Sequence, residues 1–424
     1  MARIQNIATN GSGLTVTKRM PPRSAGRSGP SEPAVHAAGE DTAEGEVASP
    51  TARRRKGKPE GSPFEVTLDA SMERWAVDRH EPWRLAVLGA GGLGKAAARM
   101  IGVKRELRLC AMCDSQGFVI ADQGLLTDAL ALIEGDLVTG YRRAMDDEEG
   151  ARGAAGGTRL FEARHCDDPL GALLQAADRV DAVVVALPNL PNAFIPNVIE
   201  RFARARASLV FVDVLKRTSA VAKMFELDAL VKRSRGVVLT GCGATPGFLA
   251  AAAVLAAQSF VHVEKVDIWW GVGLANWELH KATIREDIAH LPGYTVERAT
   301  AMSDDEVEAL LERTSGLLTL RRMEHADDLL LQRVGVVDDA AQVEVGGVMD
   351  TRHPNKPVST TMTLTGTTYD GKRSSHRFIL GDETTMAANV IGPALGYLKR
   401  GLWLQAHGLY GVFGCTEFLP MIVR

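Results

Sequence analysis

The chain has 424 residues, of which 46% are hydrophobic and 24% are charged, and its formal net charge is −3. This length suits two or three ordinary domains, and the near-neutral charge gives no reason to expect nucleic acid or a membrane as a partner. No apolar run reaches the roughly 18 residues of a membrane-spanning helix. Five cysteines at irregular spacings argue against a disulfide framework, so we expect a cytoplasmic protein.

The first part of the chain differs in composition from the rest. Residues 1–62 are rich in Gly, Pro, Ser, Ala and Arg and lack hydrophobic periodicity, which predicts a disordered tail. The segment 1–31 lacks Asp and Glu but contains basic residues, namely Arg3, Lys18, Arg19, Arg23 and Arg27. That pattern is also compatible with an organelle transit peptide, which would change the expected location.

From residue 83 onward, short apolar runs alternate with helical stretches. The predicted strands are Arg84–Gly89, Leu107–Asp114, Thr158–Arg164, Asp181–Pro188, Leu209–Lys216 and Val237–Gly241. Near-continuous apolar strands that alternate with helices predict a parallel sheet covered on both faces. Residues 83–260 are therefore expected to form an α/β domain of the doubly wound Rossmann type.

The pattern of predicted elements changes after a predicted helix at about 247–259. Longer strands are predicted at Val261–Val272, Leu329–Val337, Gln342–Met349, Ser359–Thr368 and Arg373–Leu380, and a helical stretch at 293–315 interrupts them. We expect an α+β substrate and dimerisation domain over 261–382, in a homodimer. The last part, 383–424, is expected to contain a closing C-terminal helix and a tail that pack back on the first domain.

The strongest motif is a glycine-rich loop between the first strand and the first helix. It fits the pattern G-x-G-x-x-G with the residues Gly89, Ala90, Gly91, Gly92, Leu93 and Gly94. The first glycine permits the tight turn, the second lets the backbone approach a pyrophosphate, and the third lets helix and strand pack closely. The loop predicts a dinucleotide cofactor; the alternative is a tight turn without a ligand.

An acidic residue at the end of the second strand bears on which dinucleotide binds. Asp114 follows the glycine-rich loop at the usual spacing of such an acid, about 20 residues. A carboxylate there accepts hydrogen bonds from the adenosine ribose and repels a 2′-phosphate, so NAD is expected and NADP is disfavoured. The alternative is an Asp that caps a turn at the strand end.

Further candidate residues follow the later strands, because ligands bind beyond the carboxyl ends of parallel strands. Strand four ends in Leu187, Pro188 and Asn189, which are expected to line the cofactor, and strand five ends in Lys216. Strand six runs into a predicted substrate-binding loop of Gly243, Ala244, Thr245, Pro246 and Gly247. The alternative for this loop is an ordinary strand-to-helix turn. No metal site is expected, since Cys110 and Cys113 face opposite sides of a strand.

With these features the chain resembles the saccharopine dehydrogenase-like reductases over roughly residues 83–424. The resemblance rests on the Gly89–Gly94 loop, the strand endings, the Gly243–Gly247 loop and a second domain that precedes a closing helix. It implies an NAD-dependent oxidoreductase that transfers hydride to or from a C–N or C–O carbon of an amino-acid-derived substrate. Members often carry an acid in the Gly-x-x-Pro-Gly loop, where this chain has Thr245.

The candidate proton donors of such an enzyme are basic residues near the predicted strand ends: Lys216, His280 and Lys281. A second basic cluster, Arg352, His353 and Lys356, is an alternative source of carboxylate-binding cations. Two other functions stay open at this point. One is a cofactor-binding regulator without turnover, because a Rossmann fold does not decide function; the other is a homoserine dehydrogenase-like enzyme.

Overall fold

The computed structural model describes residues 81–152, 160–189, 191–274, 277–381 and 386–424, and the predicted tail 1–62 lies outside them. The strands are β1 Trp83–Leu88, β2 Leu107–Cys113, β3 Gly117–Ile120, β4 Glu162–His165, β5 Ala182–Val185, β6 Val210–Asp213, β7 Val237–Thr240, β8 Phe260–Gly273, β9 Leu317–Leu320, β10 Val343–Asp350, β11 Thr361–Thr368, β12 Arg373–Ile379 and β13 Gly411–Gly414.

The helices belong to connections between these strands, including the last and longest one, which precedes β13. They are α1 Gly92–Gly102, α2 Thr127–Leu132, α3 Leu137–Arg152, α4 Pro169–Gln175, α5 Phe194–Arg204, α6 Thr218–Glu226, α7 Asp228–Arg233, α8 Phe248–Ala257, α9 Lys281–Ile288, α10 Val296–Ala301, α11 Asp304–Arg313, α12 Asp327–Arg333 and α13 Met386–Ala406. Within the described ranges, none of them is both long enough and apolar enough to cross a lipid bilayer.

The first sheet has eight strands in the order β13-β7-β6-β5-β1-β2-β3-β4. The strands from β13 to β2 pair in parallel, and their apolar residues are almost fully buried. This confirms the predicted mostly parallel α/β sheet of the Rossmann type. Because β1 lies between β5 and β2, the chain order reverses at β1, and the crevice at that reversal is where such sheets bind ligands.

One edge of this sheet departs from the prediction. The predicted third strand, Thr158–Arg164, is observed as β4 at Glu162–His165, and it pairs antiparallel with β3. The strand β3 follows β2 directly and also pairs antiparallel with it. A short turn at Asp114 joins β2 and β3, so this edge is a meander rather than part of the parallel series.

The second sheet has five strands in the order β12-β11-β8-β10-β9. The predicted strand Leu329–Val337 is wrong: this segment contains the helix α12, which begins at Asp327. A short apolar run does not by itself distinguish a strand from a buried helix, and two acidic residues in the first turn favour the helix by interacting with its dipole. The fifth strand is instead β9, Leu317–Leu320, which the sequence did not reveal.

The C-terminal segment contacts the first sheet. Helix α13 packs on β5, β6 and β7, and its Tyr397 is fully buried with its hydroxyl donating to the Cys415 carbonyl at 2.8 Å. Strand β13 then pairs in parallel with β7 at the sheet edge. The closing elements therefore lie against the strands whose carboxyl ends carry the candidate site.

Candidate active site

The glycine-rich loop has the close contacts that its motif requires. Gly89 has a φ of +104°, and a Cβ there would lie 2.4 Å from the carbonyl oxygen of Ala186, in the segment after β5. A Cβ at Gly94 would lie 1.8 Å from the carbonyl oxygen of Gly89. Only glycine fits at these two positions, because no side chain can share that space with backbone atoms.

The middle of the loop is open. Gly91 is the residue before α1, and a Cβ on it would meet no atom within 4 Å. No side chain caps the first turn of α1, and no acidic residue lies in that turn. Among the described residues, the N–H groups of this first turn therefore have no side-chain cap, and the helix dipole there favours an anion. The residues present fit the pyrophosphate of a dinucleotide.

Asp114 lies at the end of β2, as predicted, but its carboxylate is engaged by the backbone. Oδ1 accepts hydrogen bonds from the N–H groups of Gln116 and Gly117 at 2.8 and 2.9 Å, and Oδ2 accepts one from Leu137 at 3.0 Å. Asp114 thus caps both the turn before β3 and the N-terminus of α3. These bonds match the alternative interpretation of a turn-capping residue, and a role toward a ribose stays a prediction.

Lys216 lies beyond the end of β6, where the sequence places it, and it pairs with two acids that the sequence analysis missed. Its Nζ lies 2.7 Å from Asp287 Oδ1 and 3.4 Å from Glu286 Oε2. Burial alone would lower the pKa of Lys216, but the charges of Asp287 and Glu286 outweigh burial and raise it. One fifth of the Lys216 side chain is exposed, whereas both acids are almost fully buried.

Glu286 connects Lys216 to the end of β5. Its Oε2 accepts a hydrogen bond from Asn189 Nδ2 at 3.2 Å, and Asn189 is one of the residues predicted to line the cofactor. The other oxygen, Oε1, is buried and has no hydrogen-bond partner among the described residues. Burial and the neighbouring Asp287 raise the pKa of Glu286, against the opposing charge of Lys216.

A second polar group adjoins Lys216. Arg217 is 5% exposed; its Nε donates to Asn192 Oδ1 at 2.8 Å, and its guanidinium pairs with Glu324. Its Nη1 lies 3.2 Å from His290 Nε2. Burial and the charge of Arg217 lower the pKa of His290 to about 4, so this imidazole is neutral at pH 7.

His280 lies against the glycine-rich loop. A Cβ at Gly92 would lie 3.7 Å from Cε1 of His280, and burial lowers the pKa of this histidine. Lys281 follows it at the start of α9, and its ammonium pairs with Asp304. The structure thus places His280 at the glycine-rich loop and Lys216 at α9. Lys281 instead pairs with Asp304, which is half exposed.

The predicted substrate loop meets a carboxylate from another element. Thr245 Oγ1 donates a hydrogen bond to Asp327 Oδ2 at 2.7 Å, and Asp327, in α12, is fully buried. His325 Nδ1 lies 2.7 Å from the same oxygen. The loop has no acid of its own at Thr245, but Asp327 of α12 places a carboxylate against this residue. The alternative basic cluster lies elsewhere, with Arg352 paired to Glu308 and His353 largely exposed.

Asp213 is the last residue of β6 and fixes the strand ends that carry the site. Its Oδ1 accepts hydrogen bonds from Leu215 N, Thr240 Oγ1 and Gly241 N at 2.9–3.0 Å. The residue is 1% exposed, and burial raises the pKa of its carboxyl from 3.8 to about 6, against the opposing hydrogen bonds. This carboxyl links β6 with β7 and holds the turn that leads to Lys216.

The raised pKa of Asp213 predicts a pH-dependent stability. A carboxyl whose pKa is higher in the folded protein stabilises it fully below about pH 4, and this stabilisation is lost as the pH rises through about 6. A shift of about two units corresponds to about 3 kcal/mol. In Asp213→Asn the accepting oxygen stays and no charge forms. The quantity to compare is the free energy of unfolding of Asp213→Asn minus that of the parent chain. We expect this difference to increase by up to about 3 kcal/mol as the pH rises from 4 to 7.5.

Denaturant unfolding at several pH values measures this difference. The matched control is Asp168→Asn, because Asp168 is exposed and the pKa of its carboxyl, paired with Arg201, is lowered to about 2. Its ionisation in the folded protein is complete above pH 4, so the control difference should stay nearly constant over the same range. A constant difference for Asp213→Asn would contradict a raised pKa at that site.

The two acids beside Lys216 are the main residues that sequence reasoning missed. Glu286 and Asp287 lie in α9 in the run Arg285-Glu286-Asp287, which has the composition of a solvated helix face. Such a run gives no sign of burial when read alone. The signal in the sequence was the helical spacing of Ile284 and Ile288, which are four residues apart and fully buried. The two acids lie between them in the sequence.

A dinucleotide-type glycine loop at the reversal point of a mostly parallel sheet defines a Rossmann-fold protein. No protein-family model matches the chain. The (S)-8-amino-7-oxononanoate synthase BioU of Haloferax mediterranei is 42% identical over 346 residues, which cover 79% of this chain and 98% of the relative. The chain belongs to the family of this synthase.

Similar folds occur among solved structures at low identity. An engineered D-amino acid dehydrogenase bound to NADP+ has a TM-score of 0.46 and 16% identity, covering 79% of this chain and 94% of that one. The C. glutamicum DAP dehydrogenase in complex with DAP has a TM-score of 0.46 and 14% identity, with 80% and 94% covered. The amine dehydrogenase of Mycobacterium smegmatis has a TM-score of 0.43 and 14% identity, with 81% and 98% covered.

The family membership corrects the functional prediction. The expected NAD-dependent, saccharopine dehydrogenase-like oxidoreductase is wrong as a description of function, because the relative that matches most of the chain is named as a synthase. The error has a physical reason: the glycine-rich loop identifies a place where a nucleotide fits, and such loops serve many different reactions. The same relative supports an enzyme rather than a regulator without turnover.

Proposed function

We propose that this chain acts in the synthesis of (S)-8-amino-7-oxononanoate and holds this amino-keto acid at a site between the Gly89–Gly94 loop and α9. The name of the relative supplies the ligand: a nine-carbon acid with a ketone at C7 and an amine at C8. The observation that carries the proposal is the largely buried Lys216 paired with Asp287 at 2.7 Å, because a lysine amine is the protein group suited to ketone chemistry.

Lys216 is the residue that we expect to meet the C7 ketone. Its ammonium form donates a proton to a ketone oxygen. Its neutral form adds to the carbonyl carbon to give a carbinolamine, which loses the former ketone oxygen as water to leave a Schiff base. Asp287 Oδ1 lies within hydrogen-bond reach and is placed to take the proton that Lys216 must lose before it adds. Asp287 in turn is held on α9, so the acceptor is in place before a ligand arrives.

We also propose that a nicotinamide nucleotide binds at the glycine-rich loop, since Gly91 leaves room for a pyrophosphate and the first turn of α1 offers free N–H groups. The negative charge of Asp114 at the end of β2 favours NAD over NADP. When bound, a nicotinamide exchanges hydride with a carbon held against its ring. The contribution of the chain would be to hold that ring near His280, which contacts the loop, and near Asn189, which follows β5.

The proposal is tested in cells that express the chain. Extracts of these cells are compared with extracts of cells that express the Lys216→Arg variant at the same level, and 8-amino-7-oxononanoate is quantified by mass spectrometry. We expect the amount of the amino-keto acid to differ at least severalfold between the two strains. Equal amounts in both strains, and in a strain without the chain, would contradict the proposed function.

A further inference from the structure

Glu286 has a property that the chemistry of Lys216 leaves unused. Its carboxylate is 3% exposed, and only one of its two oxygens has partners, Asn189 and Lys216. The second oxygen, Oε1, is buried without any hydrogen bond. A buried carboxylate oxygen that accepts nothing loses its hydration without compensation, so this arrangement is costly unless a donor arrives.

The charges around Glu286 also lack one positive group. Among the described residues at this position there is one cation, Lys216, and there are two carboxyl groups, Glu286 and Asp287. The adjoining pair of Arg217 and Glu324 is neutral as a unit. His290, which faces both groups, is neutral at pH 7 because its pKa is about 4. An additional cation beside these two carboxyl groups would favour the ionised form of Glu286, whose pKa is raised by burial and by Asp287.

We propose that Glu286 is the receptor for the ammonium group of the ligand, and that the site thereby selects amino-ketones over ketones that lack the amine. This inference rests on the proposed function, since it uses the same proposed site and the same ligand. In the named amino-keto acid, the amine is on the carbon next to the ketone. In a ligand whose ketone lies at Lys216 Nζ, the amine nitrogen is two bonds from the carbonyl carbon, and Glu286 Oε2 lies 3.4 Å from that Nζ.

This arrangement also couples binding to the state of Lys216. Both carboxylates raise the pKa of Lys216 in the absence of a ligand. A ligand ammonium that takes Glu286 as its partner weakens the attraction between Glu286 and Lys216, so the lysine gives up its proton to Asp287 more readily. Glu286 is therefore a specificity-determining residue that acts on the reaction through the lysine.

The experiment measures the binding of two ligands to the full chain by calorimetry: (S)-8-amino-7-oxononanoate and 7-oxononanoate, which has the ketone but no amine. We expect the parent chain to bind the amino-keto acid roughly tenfold to a hundredfold more tightly, the range of a charge-assisted hydrogen bond. In Glu286→Gln the ratio should fall to about one, with the affinity for 7-oxononanoate nearly unchanged. The parent chain alone already tests the selectivity if the variant does not fold.

The matched control is Glu324→Gln, which removes a carboxylate whose oxygens are already used by Arg217 and Ser219. Its affinity ratio for the two ligands should stay as in the parent chain. Equal binding of both ligands by the parent chain, or an unchanged ratio in Glu286→Gln, would overturn this inference and leave the proposed function standing. If the parent chain bound neither ligand, the proposed function would fail, and the inference would fail with it.

Discussion

Replacing Lys216 by Arg is expected to reduce turnover by at least about a hundredfold while the fold and nucleotide binding persist. Arginine keeps the positive charge that Glu286 and Asp287 need, so no buried acid is left unpaired. Its guanidinium does not lose a proton in proteins and forms no Schiff base, so both possible roles of Lys216 disappear. A loss of about a hundredfold or more is typical when a proton-transfer group is removed.

The control for this change is Lys265→Arg. Lys265 lies in the second sheet and also pairs with two carboxylates, Asp267 and Glu344, but it is almost half exposed. Steady-state kinetics, thermal unfolding and nucleotide titration are measured for both variants. Lys265→Arg should match the parent chain in all three, and Lys216→Arg only in the last two. Retained turnover in Lys216→Arg would remove Lys216 from the chemistry.

Replacing Gly91 by Ala is expected to weaken nucleotide binding roughly tenfold or more without loss of stability. The backbone of Gly91 has a φ of −73°, which any residue adopts, and the added methyl group would meet no atom of the chain. The open space that accepts the methyl group is the space proposed for the pyrophosphate. An extra methyl group in a filled site costs about 1–3 kcal/mol, which corresponds to roughly fivefold to more than a hundredfold in affinity.

The control is Gly392→Ala in helix α13, where an added Cβ also meets nothing within 4 Å. Alanine is preferred over glycine within a helix, so the control should be as stable as the parent chain or slightly more stable, with unchanged nucleotide affinity. Fluorescence titration with the reduced dinucleotide measures the affinity, and thermal unfolding measures the stability. If Gly91→Ala bound the nucleotide like the control, the cofactor would have to lie away from this loop.

The position of the loop and of Lys216 followed from the sequence because both depend on local patterns. Gly89–Gly94 lies between an apolar strand and a helix, and Lys216 directly follows a strand of the same parallel series. The carboxyl ends of parallel strands meet at one edge, so the pattern fixes where these residues lie. The predicted homodimer depends on surfaces between chains, and it stays a prediction.

Residues that depend on contacts distant in sequence were not predictable in the same way. Glu286 lies far beyond Lys216 in the sequence, and only the packing of α9 against the end of β6 brings the two together. Strand β13, Gly411–Gly414, is a strand because it pairs with β7, which belongs to a much earlier part of the chain. β9 and α12 are both short leucine-rich runs, yet the first is a strand and the second is a helix. Local propensity does not distinguish them, because the difference depends on tertiary contacts.

Lys216 is proposed to contact the C7 ketone of (S)-8-amino-7-oxononanoate directly. The most direct measurement is a crystal structure of the chain with this amino-keto acid and a nicotinamide nucleotide, from which the distance between Lys216 Nζ and the C7 carbonyl group is read. We expect a covalent bond between Nζ and C7, or a hydrogen bond of about 2.6–3.2 Å from Nζ to the ketone oxygen. An amino-keto acid bound with its ketone more than about 6 Å from Lys216, beyond direct or water-mediated contact, would contradict it.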